Sequence, residues 1–263
     1  MQKQLKNKRQ LRTRSGILIV LAVTFVAASF FMAGYWLSRV GAIPNFAEIQ
    51  NFQRRQQVFV AFLLPKICRI NRLIVWQRRN AQQMHVYWLR NGRLTRSSHH
   101  WIEKLAQRYQ ISQPTLNDSF WSQLLLCVDV IPPGLALAQA ANESGWGTSR
   151  FAQQGNNLFG QWCFTAGCGL VPRDRQAGAQ YEVKAFKTVR AAVRAYVYNL
   201  NTNAAYQHLR LIRQQLRVQG LPLSSTDLAA GLDQYSQKGA AYAQLIQSII
   251  VQYHLKQYDS GHC

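Results

Sequence analysis

The strongest hydrophobic pattern of the chain lies near its amino terminus. No charged residue occurs over residues 15–38, and residues 17–37 are strongly apolar. As a helix, these 24 residues extend about 36 Å, which is enough to cross a bilayer core of about 30 Å. The pattern predicts an uncleaved transmembrane helix over residues 16–38. A cleaved signal peptide is the alternative, although its apolar region usually has only about 7–15 residues.

The charges around this apolar stretch predict its orientation. Six basic side chains precede it without any acid, whereas Arg39 alone follows closely. Because cytoplasmic flanks carry the excess of lysine and arginine, residues 1–15 are expected to be a cytoplasmic tail. Tyr35 and Trp36 lie where an aromatic belt meets the far interface. Everything after about residue 40 is therefore expected to be exported.

Breakers and helical periodicity predict the organisation of the next part of the chain. Gly41 and Pro44 indicate a linker over residues 39–54. Apolar residues then recur at helical spacing among arginine and glutamine over residues 55–89. This pattern predicts one or two amphipathic helices with a break near Pro65, because proline removes a backbone donor.

A further helical pattern runs over residues 97–109, where Trp101, Leu105 and Tyr109 recur every four residues. His99 and His100 precede them, but no cysteine or acid with metal-ligand spacing accompanies these histidines, so no metal site is expected. The expected division of the remaining chain is a helical stem, a main domain and a short tail, at residues 55–111, 112–258 and 259–263.

Basic residues greatly outnumber acidic ones. The chain has 31 Lys and Arg against 10 Asp and Glu, a formal net charge of +21, and its 48% of hydrophobic residues excludes wholesale disorder. Removing the six charges of the tail leaves +15 (21 − 6) on the exported part. Such a surface favours anionic phospholipids or an anionic wall polymer, and export argues against nucleic acid as a partner. A solvated basic face without a partner is the alternative.

A predicted helix of small apolar residues carries the strongest candidate for a general-acid residue. Two prolines at residues 132–133 begin the helix, and Glu143 lies near its end, directly before Ser-Gly-Trp-Gly. Loss of hydration beside an aromatic ring favours the protonated form of a carboxyl group, as a general acid for glycosidic cleavage requires. A surface carboxylate or a salt-bridge partner is the alternative interpretation.

Several ordered motifs around Glu143 resemble a known family. They are IPPGLALAQAANESGWGTSRFA, GNNLFGQW, CFTAGCG, VPRDR, AFKTVRAAVRAY, NLNTNAAY and QYSQKGAAYAQLI. In this succession they are similar to the glucosaminidase domain of glycoside hydrolase family 73. FVAFLLPKI resembles the stem that precedes the domain in some relatives, so the resemblance covers residues 55–255. It implies that Glu143 is the catalytic acid.

The resemblance also implies a fold and a reaction. The expected fold is mainly α-helical, an α+β lysozyme-like domain in which a small β-hairpin lobe lies beside a cleft. Alternation and a glycine turn independently favour hairpin strands at residues 170–175 and 179–186, joined by residues 176–178. The family hydrolyses β-1,4 bonds between N-acetylglucosamine and the next sugar, usually in peptidoglycan.

The same motifs contain the expected sugar-binding residues. Apolar sugar faces bury well against aromatic planes, so Trp146, Phe159 and Trp162 are candidates for stacking. Ordinary core packing is the alternative for all three, and it is favoured for Phe159. The matched motifs add further candidates for substrate contact, Asn157, Tyr206 and Tyr242.

The second carboxylate that glycosidases usually need is missing from its expected place. The family carries it on the first hairpin strand, where this sequence has Arg173. Asp174 follows one position later, on the opposite face of a regular strand, and would need a bulge to turn inward. Glu182 lies on the return strand and would have to reach across the hairpin. Both remain candidates.

A third route needs no second carboxylate. The substrate's own N-acetyl oxygen attacks the anomeric carbon in substrate-assisted glycosidases. The resemblance matches Tyr235 with a functional tyrosine of the family, which would hydrogen-bond the N-acetyl group or position water. A partly buried helix tyrosine is the alternative for Tyr235. We favour the substrate-assisted route.

The five cysteines suggest one specific disulfide. Cys163 and Cys168 frame a four-residue loop, and export permits their oxidation. No histidine lies nearby, so neither a metal nor another cofactor is expected. Three cysteines remain, of which Cys263 at the terminus is expected to be free.

Together, these patterns and the family resemblance predict a single-pass protein of the bacterial inner membrane with a periplasmic peptidoglycan N-acetylglucosaminidase domain. The expected partners are peptidoglycan glycan strands and an anionic membrane surface. One alternative is a non-catalytic wall-binding module with an incomplete carboxylate pair. A more distant alternative is a basic protein that binds lipid or nucleic acid.

Overall fold

The computed structural model describes residues 43–112, 115–176, 178–260 and 263. The predicted transmembrane helix and the basic tail before it lie outside these described residues. Within them, no helix combines the length and the apolar character that crossing a membrane requires. Residues 43–263 belong to one compact unit.

The described part of the chain is mainly helical with a small antiparallel sheet, an α+β fold. The helices in chain order are α1 (Phe52–Asn91), α2 (Arg96–Arg108), α3 (Asp118–Cys127), α4 (Pro133–Ser144), α5 (Arg150–Gly155), α6 (Val189–Thr202), α7 (Gln207–Val218), α8 (Ser225–Ala229) and α9 (Ala240–Gln252). The strands are β1 (Trp162–Cys163), β2 (Gly169–Leu170) and β3 (Glu182–Lys184). Short 3₁₀ turns lie at Phe46–Glu48, Ala204–Tyr206, Ala230–Leu232 and Leu255–Tyr258.

The helix α1 is continuous, so the predicted break near Pro65 is wrong. Asn51 caps its first turn and Gly92, at φ 66°, ends it. The same face is buried before and after the proline, because this face packs into a single core with α3, α4 and α6. That packing outweighs the one backbone hydrogen bond that proline removes. The buried residues of this face include Phe59, Leu63, Ile67, Ile70 and Ile74.

The helix α4 lies at the centre of the fold, as its small apolar residues predict. Every residue from Pro133 to Ala141 is buried, and the helix packs against α1, α8, α9 and the last 3₁₀ turn. Gly134 permits this approach, since a Cβ there would lie 2.7 Å from the carbonyl oxygen of Leu255. The helix ends at Ser144 because Gly145 adopts the left-handed conformation at φ 58°. Glu143 is thereby held in its last turn.

The sheet differs from the predicted hairpin. Its strand order is β1-β3-β2, and the two outer strands pair antiparallel to β3. The predicted pair of long strands is reduced to a short pairing of β2 with β3, and β1 adds a third strand that sequence reasoning missed. Residues 173–174 form a turn outside the strands, which corrects the placement of Arg173 and Asp174 on a strand. Pro172, which has no backbone donor, precedes that turn.

Two disulfides join described cysteines. One closes the loop from Cys163 to Cys168, the pair that the sequence suggested. The other links Cys68 on α1 to Cys263, so the expectation that Cys263 is free is wrong. The free cysteine of the described part is Cys127, which is buried at the end of α3.

Candidate active site

Glu143 is half-buried in the last turn of α4, with its two carboxylate oxygens in different surroundings. Its Oε1 accepts hydrogen bonds from the Tyr242 hydroxyl at 2.7 Å and from Asn142 Nδ2 at 3.1 Å. Its Oε2 faces Gly160, where a Cβ would lie 3.0 Å from this oxygen. Gly160 itself has φ 61°, so its backbone reaches the carboxylate in a conformation that favours glycine.

A chain of buried polar side chains leads to Oε1 of Glu143. The Tyr196 hydroxyl donates to Gln139 Oε1 at 2.7 Å, and Gln139 Nε2 lies 3.1 Å from the Tyr242 hydroxyl oxygen. Because the amide nitrogen can only donate, the Tyr242 hydroxyl accepts from it and points its own proton at Glu143. We call Tyr196, Gln139 and Tyr242 the tyrosine–glutamine relay. Burial, followed by the charge of Glu143, raises the pKa of Tyr242, which keeps it a donor.

Three tyrosines form an aromatic wall beside this relay. The rings of Tyr235 and Tyr242 stack with centroids 5.2 Å apart, and Tyr206 lies 5.7 Å from Tyr235. The Tyr235 hydroxyl donates to the carbonyl oxygen of Phe159 at 2.8 Å. Burial raises its pKa, and the nearby Tyr242 adds to that shift. The structure therefore brings Tyr206, Tyr235 and Tyr242 into one group, with Tyr242 in contact with Glu143.

Trp146 packs inside an aromatic cluster. It adopts φ 56° directly after α4 and is half-buried. Its ring meets Phe59, Tyr253 and Phe52 edge to face, with centroids 5.4, 5.0 and 5.9 Å away. These contacts on several sides give Trp146 the geometry of the core-packing alternative.

Asn157 and Phe159 shape the loop that carries Gly160. Both are buried. The Asn157 amide donates to the carbonyl oxygens of Gln161 and Lys184, and its oxygen accepts from the backbone of Phe159 and Gln161. Phe159 stacks on Tyr196 with centroids 4.0 Å apart, the core role that the sequence favoured. The two residues hold the loop against α6 and the sheet.

Trp162 offers an open aromatic surface on β1. It is 51% exposed, and Tyr181 meets it edge to face with centroids 4.9 Å apart. Phe164, at the start of the disulfide loop, is 75% exposed. An exposed indole held in place by a neighbouring ring suits stacking on a sugar face.

Glu182 is buried on β3 opposite Cys163 and anchors the disulfide loop. Its two oxygens accept from the backbone nitrogens of Gly167 at 3.0 Å and Gly169 at 2.7 Å. These hydrogen bonds lower the pKa of Glu182. Asp174, the other candidate for a second carboxylate, is exposed in its turn.

Comparisons with known proteins identify the family of the chain. The family model described as mannosyl-glycoprotein endo-beta-N-acetylglucosaminidase matches residues 122–255. The chain belongs to the glucosaminidase family. Protein bax of Escherichia coli (strain K12) is 31% identical over 208 residues, which cover 78% of this chain and 72% of that protein. No solved structure matches the chain. Membership of the glucosaminidase family gives the chain a glycan-related role.

The relay residues Gln139 and Tyr196, together with Gly160 and Tyr181, were missed from the sequence. One signal for Gln139 was available, since it is a polar residue in an otherwise small and apolar helix, four positions before Glu143. That spacing places the two side chains on one face of α4. Tyr181 and Tyr196 carry no comparable local signal.

The relay yields a testable expectation. Tyr242→Phe removes the hydroxyl that donates to Glu143, and a hydrogen bond to a charged group contributes about 1.5–3 kcal/mol. We expect activity on glycan to fall about 10- to 100-fold while the fold persists.

The matched control is Tyr87→Phe on the exposed side of α1, which should leave the rate of glycan hydrolysis unchanged. If Tyr242→Phe and Tyr87→Phe hydrolyse glycan at the same rate, the relay does not position Glu143.

Proposed function

We propose that this chain is a β-N-acetylglucosaminidase of glycoside hydrolase family 73 that cleaves β-1,4 bonds in peptidoglycan, with Glu143 as the general acid. The observation that carries the proposal is the unequal environment of its two carboxylate oxygens. Oε1 is occupied by Tyr242 and Asn142, so the acid proton belongs on Oε2, which faces Gly160. A side chain at position 160 would lie against this oxygen, so glycine there keeps Oε2 uncovered on that side.

The mechanism that we propose is substrate-assisted. Glu143 gives its proton to the leaving glycosidic oxygen, and the acetamido carbonyl oxygen of the substrate bonds to the anomeric carbon. Water, deprotonated by Glu143, then opens this intermediate with retained configuration. Tyr235 donates its own proton to Phe159, so its hydroxyl oxygen is suited to accept the acetamido N–H and aim the carbonyl.

The surroundings of the other carboxylates support this route. Both oxygens of Glu182 are bound to backbone nitrogens, and this binding favours an anchoring role over that of a base. Asp174 lies in an exposed turn, not on the strand that carries the family's second glutamate. We therefore assign neither residue a catalytic role.

The sugar-binding surface in this proposal includes Trp162 with Tyr181. Tyr206 is only 7% exposed, so it supports the ring of Tyr235 instead of contacting the sugar. In this proposal the fold is that of a lysozyme-like domain, with the glycan bound between the small sheet and the end of α4 that carries Glu143. We propose that residues 16–38 anchor the chain in the inner membrane and that the domain after them lies in the bacterial periplasm. The charges that flank residues 16–38 support this orientation.

A non-catalytic glycan-binding module is the second candidate. By its position among the motifs Arg173 replaces the family's second glutamate, although it lies in a turn outside the strands, and that replacement favours binding without hydrolysis. The two candidates differ in one result, because a binding module retains glycan without releasing new reducing ends.

The test is digestion of purified sacculi by the full-length chain in detergent. After borohydride reduction, we expect fragments that end in reduced N-acetylglucosamine, and proton NMR on a soluble glycan fragment should show the retained anomer first. Sacculi that bind the chain without any new reducing ends would favour the binding module. An inverted product would show that water, activated by a protein carboxylate, attacks the anomeric carbon in place of the acetamido group.

Three variants test the assignment of the second group. Asp174→Asn and Glu182→Gln should each retain at least about a tenth of the activity, whereas Tyr235→Phe should lose much more. Initial rates on sacculi, with thermal unfolding as a check on the fold, measure the difference. A loss for Asp174→Asn or Glu182→Gln as deep as that for Tyr235→Phe contradicts the substrate-assisted route.

A further inference from the structure

A cavity of about 600 Å³ lies between α1, α3 and α7, and its lining shares no residue with the proposed glycan site. Asp129 is the only carboxylate among its lining residues. We call it the arginine cavity after the five guanidinium groups that line it, those of Arg78, Arg79, Arg210, Arg213 and Arg217.

The charges of the arginine cavity do not balance. Arg217 binds both oxygens of Asp129, at 3.1 and 2.9 Å, and Arg78 lies 3.5 Å from the same carboxylate. One negative charge therefore faces five positive ones, an excess of four (5 − 1). Burial lowers the pKa of Arg213 to about 10, and the repulsion from Arg78 and Arg210 adds to this effect. An anion in the cavity would relieve this repulsion.

Structural bonds account for only part of this cluster. Arg213 and Arg78 donate to backbone carbonyls in the segment 125–130, at and just after the carboxyl end of α3. Arg210 donates to the backbone carbonyls of Leu200 and Asn203 at 3.0 and 2.7 Å. These bonds explain why Arg213 and Arg210 are buried and why Arg78 is half-buried. Arg79 is exposed and makes no hydrogen bond or ion pair within the described part of the chain. Nε of Arg210 and Nε2 of His85 are buried without a hydrogen-bond partner among the described residues. Both atoms lie out of reach of a ligand in the cavity, whereas the guanidinium of Arg79 is open to a ligand that accepts hydrogen bonds.

The cavity also has apolar walls. Val75 and Val218 line it and are 43% and 82% exposed, and Leu125 and Leu126 contribute further apolar surface. A small soluble anion would leave the two valines in water. A ligand with a phosphate group and an attached hydrocarbon chain would satisfy the arginines and cover the valines.

We propose that the arginine cavity binds the head group of an anionic phospholipid, with its phosphate at the exposed Arg79 and its glycerol backbone against Val75 and Val218. Arginine suits this role because its planar guanidinium binds phosphate oxygens in pairs. A domain held in this way would lie at an anionic membrane surface through a site separate from its glycan cleft.

The test is a calorimetric titration of the full-length chain, kept in a zwitterionic detergent, with short-chain phosphatidylglycerol. We expect Arg79→Ala to weaken binding at least about fivefold, because it removes one bidentate phosphate contact. The control is Arg72→Ala, an exposed arginine of the same helix that does not line the cavity, which should bind like the wild type. Short-chain phosphatidylcholine, which has no net charge, should bind at least about tenfold more weakly.

Three outcomes overturn the proposal. If Arg72→Ala and Arg79→Ala weaken phosphatidylglycerol binding equally, the lipid is attracted by the overall positive charge and not by the arginine cavity. Glycerol phosphate that binds as tightly as phosphatidylglycerol would identify a soluble phosphate ligand, and a poly-glutamate peptide that binds more tightly than either would identify an acidic protein partner. Arg79→Ala should digest sacculi at the wild-type rate. The test of lipid binding is therefore independent of the test of the proposed glycosidase activity.

Discussion

Replacing Glu143 by glutamine should lower hydrolysis of purified sacculi by about 10²- to 10⁴-fold, the usual contribution of a positioned general acid. Glutamine keeps the shape of the side chain and an oxygen that accepts from Tyr242, so the relay and the end of α4 should survive. What the variant lacks is a proton to give to the leaving oxygen. Without that proton, the departing sugar must leave as an alkoxide.

The matched control is Glu103→Gln, which makes the same change at an exposed position of α2. Initial rates of dye release from labelled sacculi measure both variants, and circular dichroism checks their folds. Sedimentation with sacculi should show that Glu143→Gln still binds glycan. Hydrolysis by Glu143→Gln at the wild-type rate would falsify the acid assignment and favour the binding module.

The position of Glu143 was predictable because local rules decide it. Paired prolines begin α4, small residues let it enter the core, and Gly145 ends it, so the sequence alone located the carboxylate in the last turn. Pro65 shows the limit of such rules. Proline tends to break a helix, but α1 continues through Pro65 because its buried face extends on both sides of this residue and its packing outweighs that tendency.

The surroundings of Glu143 were less predictable, since they come from distant parts of the chain. Tyr242 lies 99 residues from Glu143, and Gln139 lies 57 residues from Tyr196. Neither hydrophobic periodicity nor a local motif predicts such contacts, because they form only when the helices pack. Glu182 is a related case. Its type and strand fitted a catalytic base, but the disulfide loop turns two backbone nitrogens onto its carboxylate.

Asp129→Asn should cost about 3–5 kcal/mol of the free energy of unfolding, the usual effect of removing one partner of a buried ion pair. Asp129 is buried and is the counter-ion of Arg78, Arg213 and Arg217. Asparagine would place an amide where the carboxylate meets the guanidinium of Arg217, and buried Arg213 would lose its nearest negative charge. Denaturant unfolding of the full-length chain measures the change. Asp227→Asn, at an exposed position of α8, should stay within about 0.5 kcal/mol of the wild type.

The same carboxylate predicts a pH dependence. Burial opposes the ionisation of Asp129, but Arg213, with Arg217 and Arg78, outweighs burial and lowers its pKa in the folded protein. Its contribution to stability is therefore fully present above the unfolded pKa of about 3.9 and is lost as the pH falls through the lower folded value. The difference in unfolding free energy between wild type and Asp129→Asn should be constant from neutral pH down to about pH 5 and should shrink below about pH 4. A difference that stays constant through the acid range would show that Asp129 does not stabilise the fold as the ionised partner of these arginines.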